Sequence, residues 1–138
     1  MSVMVEFAGY ILRIATKQWV NQVFETTIYY TSIHRKWKTE QTILFVHKTD
    51  VGDAIIGYGV IENVREKEAF SEEERSECDK YGWKKAIEFR YVKEFERPLP
   101  LKETVLKDMK IRGRLLHGFP LNKAQIESIM NQAESSKR

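Results

Sequence analysis

The sequence predicts an α+β fold: about five or six short strands, mostly hairpin-linked, curled into a sheet or small barrel with three flanking helices. Three observations point there. Runs rich in β-branched and aromatic residues, such as 42–47 (TILFVH) and 86–92 (AIEFRYV), recur along the chain. Helix-start chemistry occurs at only three places, around Thr16, Ser71 and Asn122. Gly57 and Gly59 interrupt one long strand at alternate positions, as a tightly coiled strand requires.

The elements follow in order. Residues 4–14 are apolar enough for a first strand, or for a strand leading into a helix. Thr16 is placed to cap a helix in which Trp19, Val20, Val23 and Phe24 keep one apolar stripe. Residues 26–31 (TTIYYT) read as extended, and the polar loop after them carries His34, Arg35, Lys36, Trp37 and Lys38. The unbroken run Ile43, Leu44, Phe45, Val46 predicts a central strand covered on both faces. After a turn at 49–53, a second long strand runs toward Val64. Ser71 supplies a hydroxyl cap, and Glu72, Glu73 and Glu74 suit the positive end of a helix dipole. That helix ends near Tyr81 and Gly82. Strand alternation resumes until Pro98 and Pro100 stop it. Residues 101–106 suit a short helical turn, residues 109–115 alternate as a strand, and Gly118, Phe119 and Pro120 turn the chain. Asn122 and Gln125 form a capping box for a last helix whose apolar face is Ile126, Ile129 and Met130.

The two glycines raise the question of a phosphate loop. Such a loop needs its glycines in a turn that opens a helix, and here β-branched residues flank them on both sides. No Gly-Lys-Ser/Thr is present either. Strand alternation places Ala54, Ile56, Tyr58 and Val60 on one face, with Ile55, Gly57, Gly59 and Ile61 on the other. The glycines therefore bare one face, and packed protein is expected against them rather than ligand.

With 138 residues, 42% hydrophobic and 31% charged, the chain suits one soluble domain over 1–134 and a loose tail at 135–138. No apolar run is long enough to span a bilayer and no leader pattern is seen, so a cytoplasmic location is expected. The single cysteine, Cys78, rules out an internal disulfide framework. The net charge of +3 is unevenly spread: eight acids face three bases between Glu62 and Asp79, leaving that segment at −5 and the remainder at +8. Such separation suits a polyanionic partner, and an acidic surface helix beside an ordinary basic surface would give the same pattern.

Two clusters carry the chemistry. As a strand, Lys110, Arg112 and Arg114 would share one face at about 7 Å intervals, near the spacing of successive phosphates, and an exposed strand face kept soluble by charge reads equally well. Around Trp37, the bases Arg35 and Lys36 suit a backbone track beside one stacking ring, although a solvated loop with Trp37 tucked into the core reads equally well. His34, His47 and His117 lie too far apart for a metal motif, so no metal and no cofactor is expected. Cys78 sits among carboxylates that oppose a thiolate.

Residues 43–46 followed by 55–64 (IIGYGVIENV), then Trp83 to Phe89, the segment Pro98-Leu99-Pro100-Leu101 and the terminal helix, resemble PUA-like domains of the EVE and ASCH type. A small, mainly archaeal family of that group is the nearest likeness. The resemblance implies a pseudo-β-barrel whose cleft binds RNA or a modified nucleotide without catalysis of its own. Its walls would be residues 27–37, where Tyr29 and Tyr30 stand in place of the usual tryptophan, and residues 110–120, which include His117. Some ASCH-type proteins are small amidohydrolases that use a lysine, a threonine three residues later and a distant glutamate. Lys36, Thr39 and Glu88 match that pattern loosely. A third reading is a protein-interaction scaffold.

Overall fold

The computed structural model describes residues 7–109 and 113–135, with Arg114 described by its backbone alone. In chain order the elements are β1 (Gly9–Arg13), α1 (Lys17–Thr26), β2 (Ile28–Thr31), β3 (Thr42–Thr49), β4 (Gly52–Glu66), α2 (Glu72–Tyr81), β5 (Lys85–Pro100), β6 (Pro120–Leu121) and α3 (Lys123–Ser135). Single 3₁₀ turns occupy Lys67–Ala69, Leu101–Glu103 and Gly113–Leu116. The α+β expectation holds. The six strands form one mixed sheet, ordered β2-β5-β4-β3-β1-β6, and hydrogen bonds do not close it.

β3, β4 and β5 are antiparallel neighbours, β3 and β4 joined by a tight turn and β4 and β5 through α2, whereas β1 runs parallel to β3. β3 is central, and Ile43, Leu44, Phe45 and Val46 are all fully buried because each face is covered. Ile43 and Phe45 join a core with Val20 and Val23 of α1. Leu44 and Val46 join a second core with Ile126 and Ile129 of α3. The end of the sheet at β2 is covered differently. α2 buries only Cys78 fully and presents no apolar stripe. It docks through Glu74, which accepts from the Tyr30 hydroxyl at 2.6 Å and from Nη1 and Nη2 of Arg65. Glu74 also completes the capping box with Ser71, so one carboxylate starts the helix and fastens it to the sheet. Arg65 holds the Glu74 carboxyl at about 2, well below the ordinary range, with help from Tyr30 and the Ser71 amide.

Three local expectations are corrected. β5 does not stop at Pro98 but continues to Pro100; its register jumps from Gly57↔Glu94 to Ile55↔Leu99, so Pro98 falls where no ladder partner is required. The alternation at 109–115 does not make a strand through Gly113–Leu116, which is a 3₁₀ turn opened by Gly113 at φ +62. Residues 110–112 lie outside the described residues. The same β4 irregularity between Ile55 and Gly57 shifts the alternation, placing Ile56 in the α1-side core while Tyr58 packs on the α3 side.

The glycines meet packed protein, as expected. A Cβ on Gly57 would collide with the Lys93 carbonyl oxygen and lie 2.9 Å from Phe24 Cζ. At Gly59 it would lie 2.8 Å from Phe89 Cδ1. Of the predicted tail, Ser135 closes α3, and residues 136–138 lie outside the described residues. The first strand begins at Gly9, and residues 4–6 of the segment expected for it also lie outside them.

Candidate functional site

The open ends of the sheet approach each other through side chains. β2 is an edge strand, and the chain leaving it crosses toward the turn before β6. Arg35 Nε donates to the Gly118 carbonyl at 2.7 Å. Gly118 sits at φ +78 with Ile33 and Arg35 so close that a Cβ there would lie 2.5 Å from Ile33 Cδ1. Only glycine meets both demands. The turn is in turn fastened to β1, since Gly118 N–H donates to Ile11 O at 2.6 Å. The two segments expected as cleft walls, 27–37 and 110–120, thus do meet along their described residues.

At their junction is a cavity of about 160 Å³, lined chiefly by Arg13, Trp19, Gln22, Tyr29, Trp83 and His117, with Ala15 and Tyr30 beside them. His117 Nδ1 accepts the Arg13 backbone N–H at 3.1 Å, so the neutral ring carries its proton on Nε2. Burial, followed by the nearby Arg35 and Arg13 charges, pushes the His117 pKa below its ordinary value and keeps the ring neutral. Tyr29 meets His117 edge to face with centroids 6.4 Å apart. Burial raises the Tyr29 pKa to about 12. Arg13 keeps its guanidinium in place by donating to Asp53 Oδ1 from both Nε and Nη2. The site therefore joins flat aromatic walls to an Nε2–H donor and a fixed cation, in a space that suits one planar group rather than a whole drug-sized ligand.

Other sequence-picked residues are dispersed. Tyr30 stacks on Trp83 at 5.7 Å and 11°, its hydroxyl committed to Glu74. Trp37 packs on Tyr10 against the α1-side core with centroids 4.8 Å apart, so it is a core anchor rather than an open platform. Arg35 is spent on Gly118 and the His34 carbonyl. Lys36 and Thr39 line a separate hollow of about 420 Å³ with Glu40 and Glu127. Glu88 is not there: it pairs with Arg65 at 3.1 Å and accepts from Asn63. Lys110 and Arg112 lie outside the described residues, as does the side chain of Arg114. Arg13, Gln22 and Trp19 were missed by sequence reading. A lone arginine closing the apolar strand 9–13 was the available signal; nothing local marks Gln22. Among the described residues no group of His, Cys, Asp and Glu is placed to hold a metal ion, and no helix is long and apolar enough to cross a membrane.

A mixed, unclosed sheet with a helix on each face is a fold also found in a solved ASCH protein. The comparison with solved structures bears this out. An ASCH protein from Zymomonas mobilis superposes with a TM-score of 0.64 at 12% identity, covering 88% of this chain and 92% of that one. A hypothetical protein from Leishmania major gives 0.67 at 14% identity, covering 96% and 98%. At such identities the likeness is one of fold. No sequence-family model matches the chain, and no curated protein does.

Proposed function

We propose that this domain binds RNA or a modified nucleotide, with one base entering the cavity between β2 and the turn before β6. The observation that carries the reading is the convergence of Tyr29, Trp83, Arg13 and His117 on one concave space. Aromatic walls give a base a stacking surface worth on the order of 1–3 kcal/mol. His117 Nε2–H and the Gln22 amide are the groups suited to read its edge. Phosphate is assigned to bases around the mouth. Lys85 Nζ lies 3.3 Å from His34 Nδ1 and 3.5 Å from Glu66 Oε1, so a phosphate at the end of β2 would take the place of that carboxylate. Lys110, Arg112 and Arg114 precede His117 closely in sequence. The ASCH-type fold is consistent with this role.

The test is titration of the protein with single-stranded RNA and a panel of modified nucleosides, at two salt concentrations. Tyr29→Ala and His117→Ala are expected to weaken binding at least tenfold. The double change Arg112→Ala with Arg114→Ala is expected to weaken RNA binding and to flatten its salt dependence. No saturable binding across the panel would defeat the proposal.

A further inference from the structure

Three rings of the aromatic cluster form a ladder that extends beyond the cavity. Tyr30 stacks on Trp83 at 11° and Trp83 on Tyr81 at 23°, the second pair with centroids 4.5 Å apart. Trp19 stands nearly perpendicular to both Trp83 and Tyr81, at 4.9 and 5.2 Å. These separations form an almost equilateral triangle, so Trp19 stands beside the stacked pair rather than on top of it. The outer face of Tyr81 is left turned away from the stack. Tyr81 is accordingly 48% exposed, although it belongs to a cluster whose other members are largely covered. Trp19, Tyr30 and Trp83 all border the cavity; Tyr81 does not.

Packing Trp83 from below did not require an exposed ring, since Trp19 and Tyr30 already contact it. Nor does the acidic character of α2 forbid an anionic ligand here. Near its C-terminal end the acids are matched: Asp79 with Lys67 at 2.5 Å, and Glu77 with Lys80 at 3.4 Å. Lys84 is exposed just beyond Gly82. The other acids of the first turn, Glu72 and Glu73, are two helical turns away.

We propose that Tyr81 is the stacking platform for a second base, so that the ligand is single-stranded RNA of at least two nucleotides rather than a free nucleoside. This rests on the reading that a base occupies the cavity. The neighbouring base would leave the cavity mouth and lie on the outer face of Tyr81, extending the aromatic ladder by one ring. A duplex, whose bases are already stacked on each other, is excluded.

The test is a fluorescence-anisotropy titration of a labelled mixed-sequence pentaribonucleotide, with nucleoside monophosphates and a duplex of the same sequence as competitors. Extra phosphates raise affinity by themselves, so the deciding comparison is between protein variants on one ligand. Tyr81→Ala is expected to weaken pentaribonucleotide binding about tenfold, and Tyr81→Phe to retain it. Mononucleotide affinity should stay within about twofold in both, since Tyr81 lies outside the cavity. Equal losses on both ligands in Tyr81→Ala would show that Tyr81 only props Trp83, and would overturn the proposal. So would an unchanged pentaribonucleotide affinity, or duplex competing as well as single strand. Wild-type protein that binds neither mononucleotide nor pentaribonucleotide would overturn the nucleotide-binding reading as well.

Discussion

Replacing Gly57 by alanine tests the geometry on which the sheet's coiling rests. At an open strand position this change would stabilise the chain by about 0.4–1 kcal/mol, because alanine has fewer unfolded conformations to lose. Here the added methyl meets the Lys93 carbonyl oxygen of β5 and lies 3.1 Å from Glu94 Cα, both backbone atoms that cannot rotate aside. Phe24 closes the third direction at 2.9 Å. Relief requires β4 and β5 to separate locally, which places the cost at the upper end of the ~1–3 kcal/mol typical of overpacking. Subtracting the entropy gain leaves a net loss of about 2 kcal/mol. Gly59 is the internal comparison. Its nearest neighbours are side chains, Phe89 at 2.8 Å and Val92 at 3.0 Å, which can shift where backbone cannot, so Gly59→Ala should cost less, about 1 kcal/mol. Urea unfolding followed by tryptophan fluorescence measures both, and the midpoint should fall at unchanged slope. If Gly57→Ala is as stable as the unchanged protein, or loses less than Gly59→Ala, the backbone-collision argument is wrong.

Further expectations concern charge and access. The Glu74 carboxyl is held at about 2 against an ordinary 4.5, so the folded state binds fewer protons than the unfolded one. Its stabilisation is complete above about 4.5 and is lost as the pH falls from there toward 2; at a side chain 24% exposed it amounts to about 1–2 kcal/mol. Acid unfolding of Glu74→Gln should lack that limb, and an identical acid profile would count against the docking network. Cys78 is buried and its thiol is pushed up by burial and by Glu74, so alkylation should be slow in native buffer and fast in urea; equal rates would contradict the burial. Arg35→Ala removes the donor to Gly118 O and should loosen the mouth without unfolding the domain, seen as faster amide exchange at Gly118 with a small midpoint shift. Full exchange protection in that variant would refute the closure.

Much of the fold was legible because its signals are local. Ser71 with Glu74, and Asn122 with Gln125, each specify a helix start through atoms three residues apart, and both reciprocal caps are formed. The run Ile43–Leu44–Phe45–Val46 could only be a strand covered on both faces, since four consecutive apolar side chains alternate between two surfaces. The same logic failed at 113–116, where alternation was present but Gly113 adopts a left-handed turn and leads into a 3₁₀ segment.

The candidate site was less legible. Tyr29 and His117 were found, but the partners that give them meaning come from β1, α1 and the start of β5. Periodicity says which face a residue occupies, and a single irregularity reverses it, as Ile56 demonstrates. Sequence by itself determined most element types, the two capping-box helix starts and the double burial of β3, all set by interactions within a few residues; Thr16 begins α1 without a side-chain cap. Tertiary structure decided the parallel β1–β3 pairing, the closure of the mouth by Arg35 on Gly118, and which aromatic rings line the cavity. Those depend on groups up to 104 residues apart, such as the Arg13 amide and His117, whose meeting no local pattern encodes.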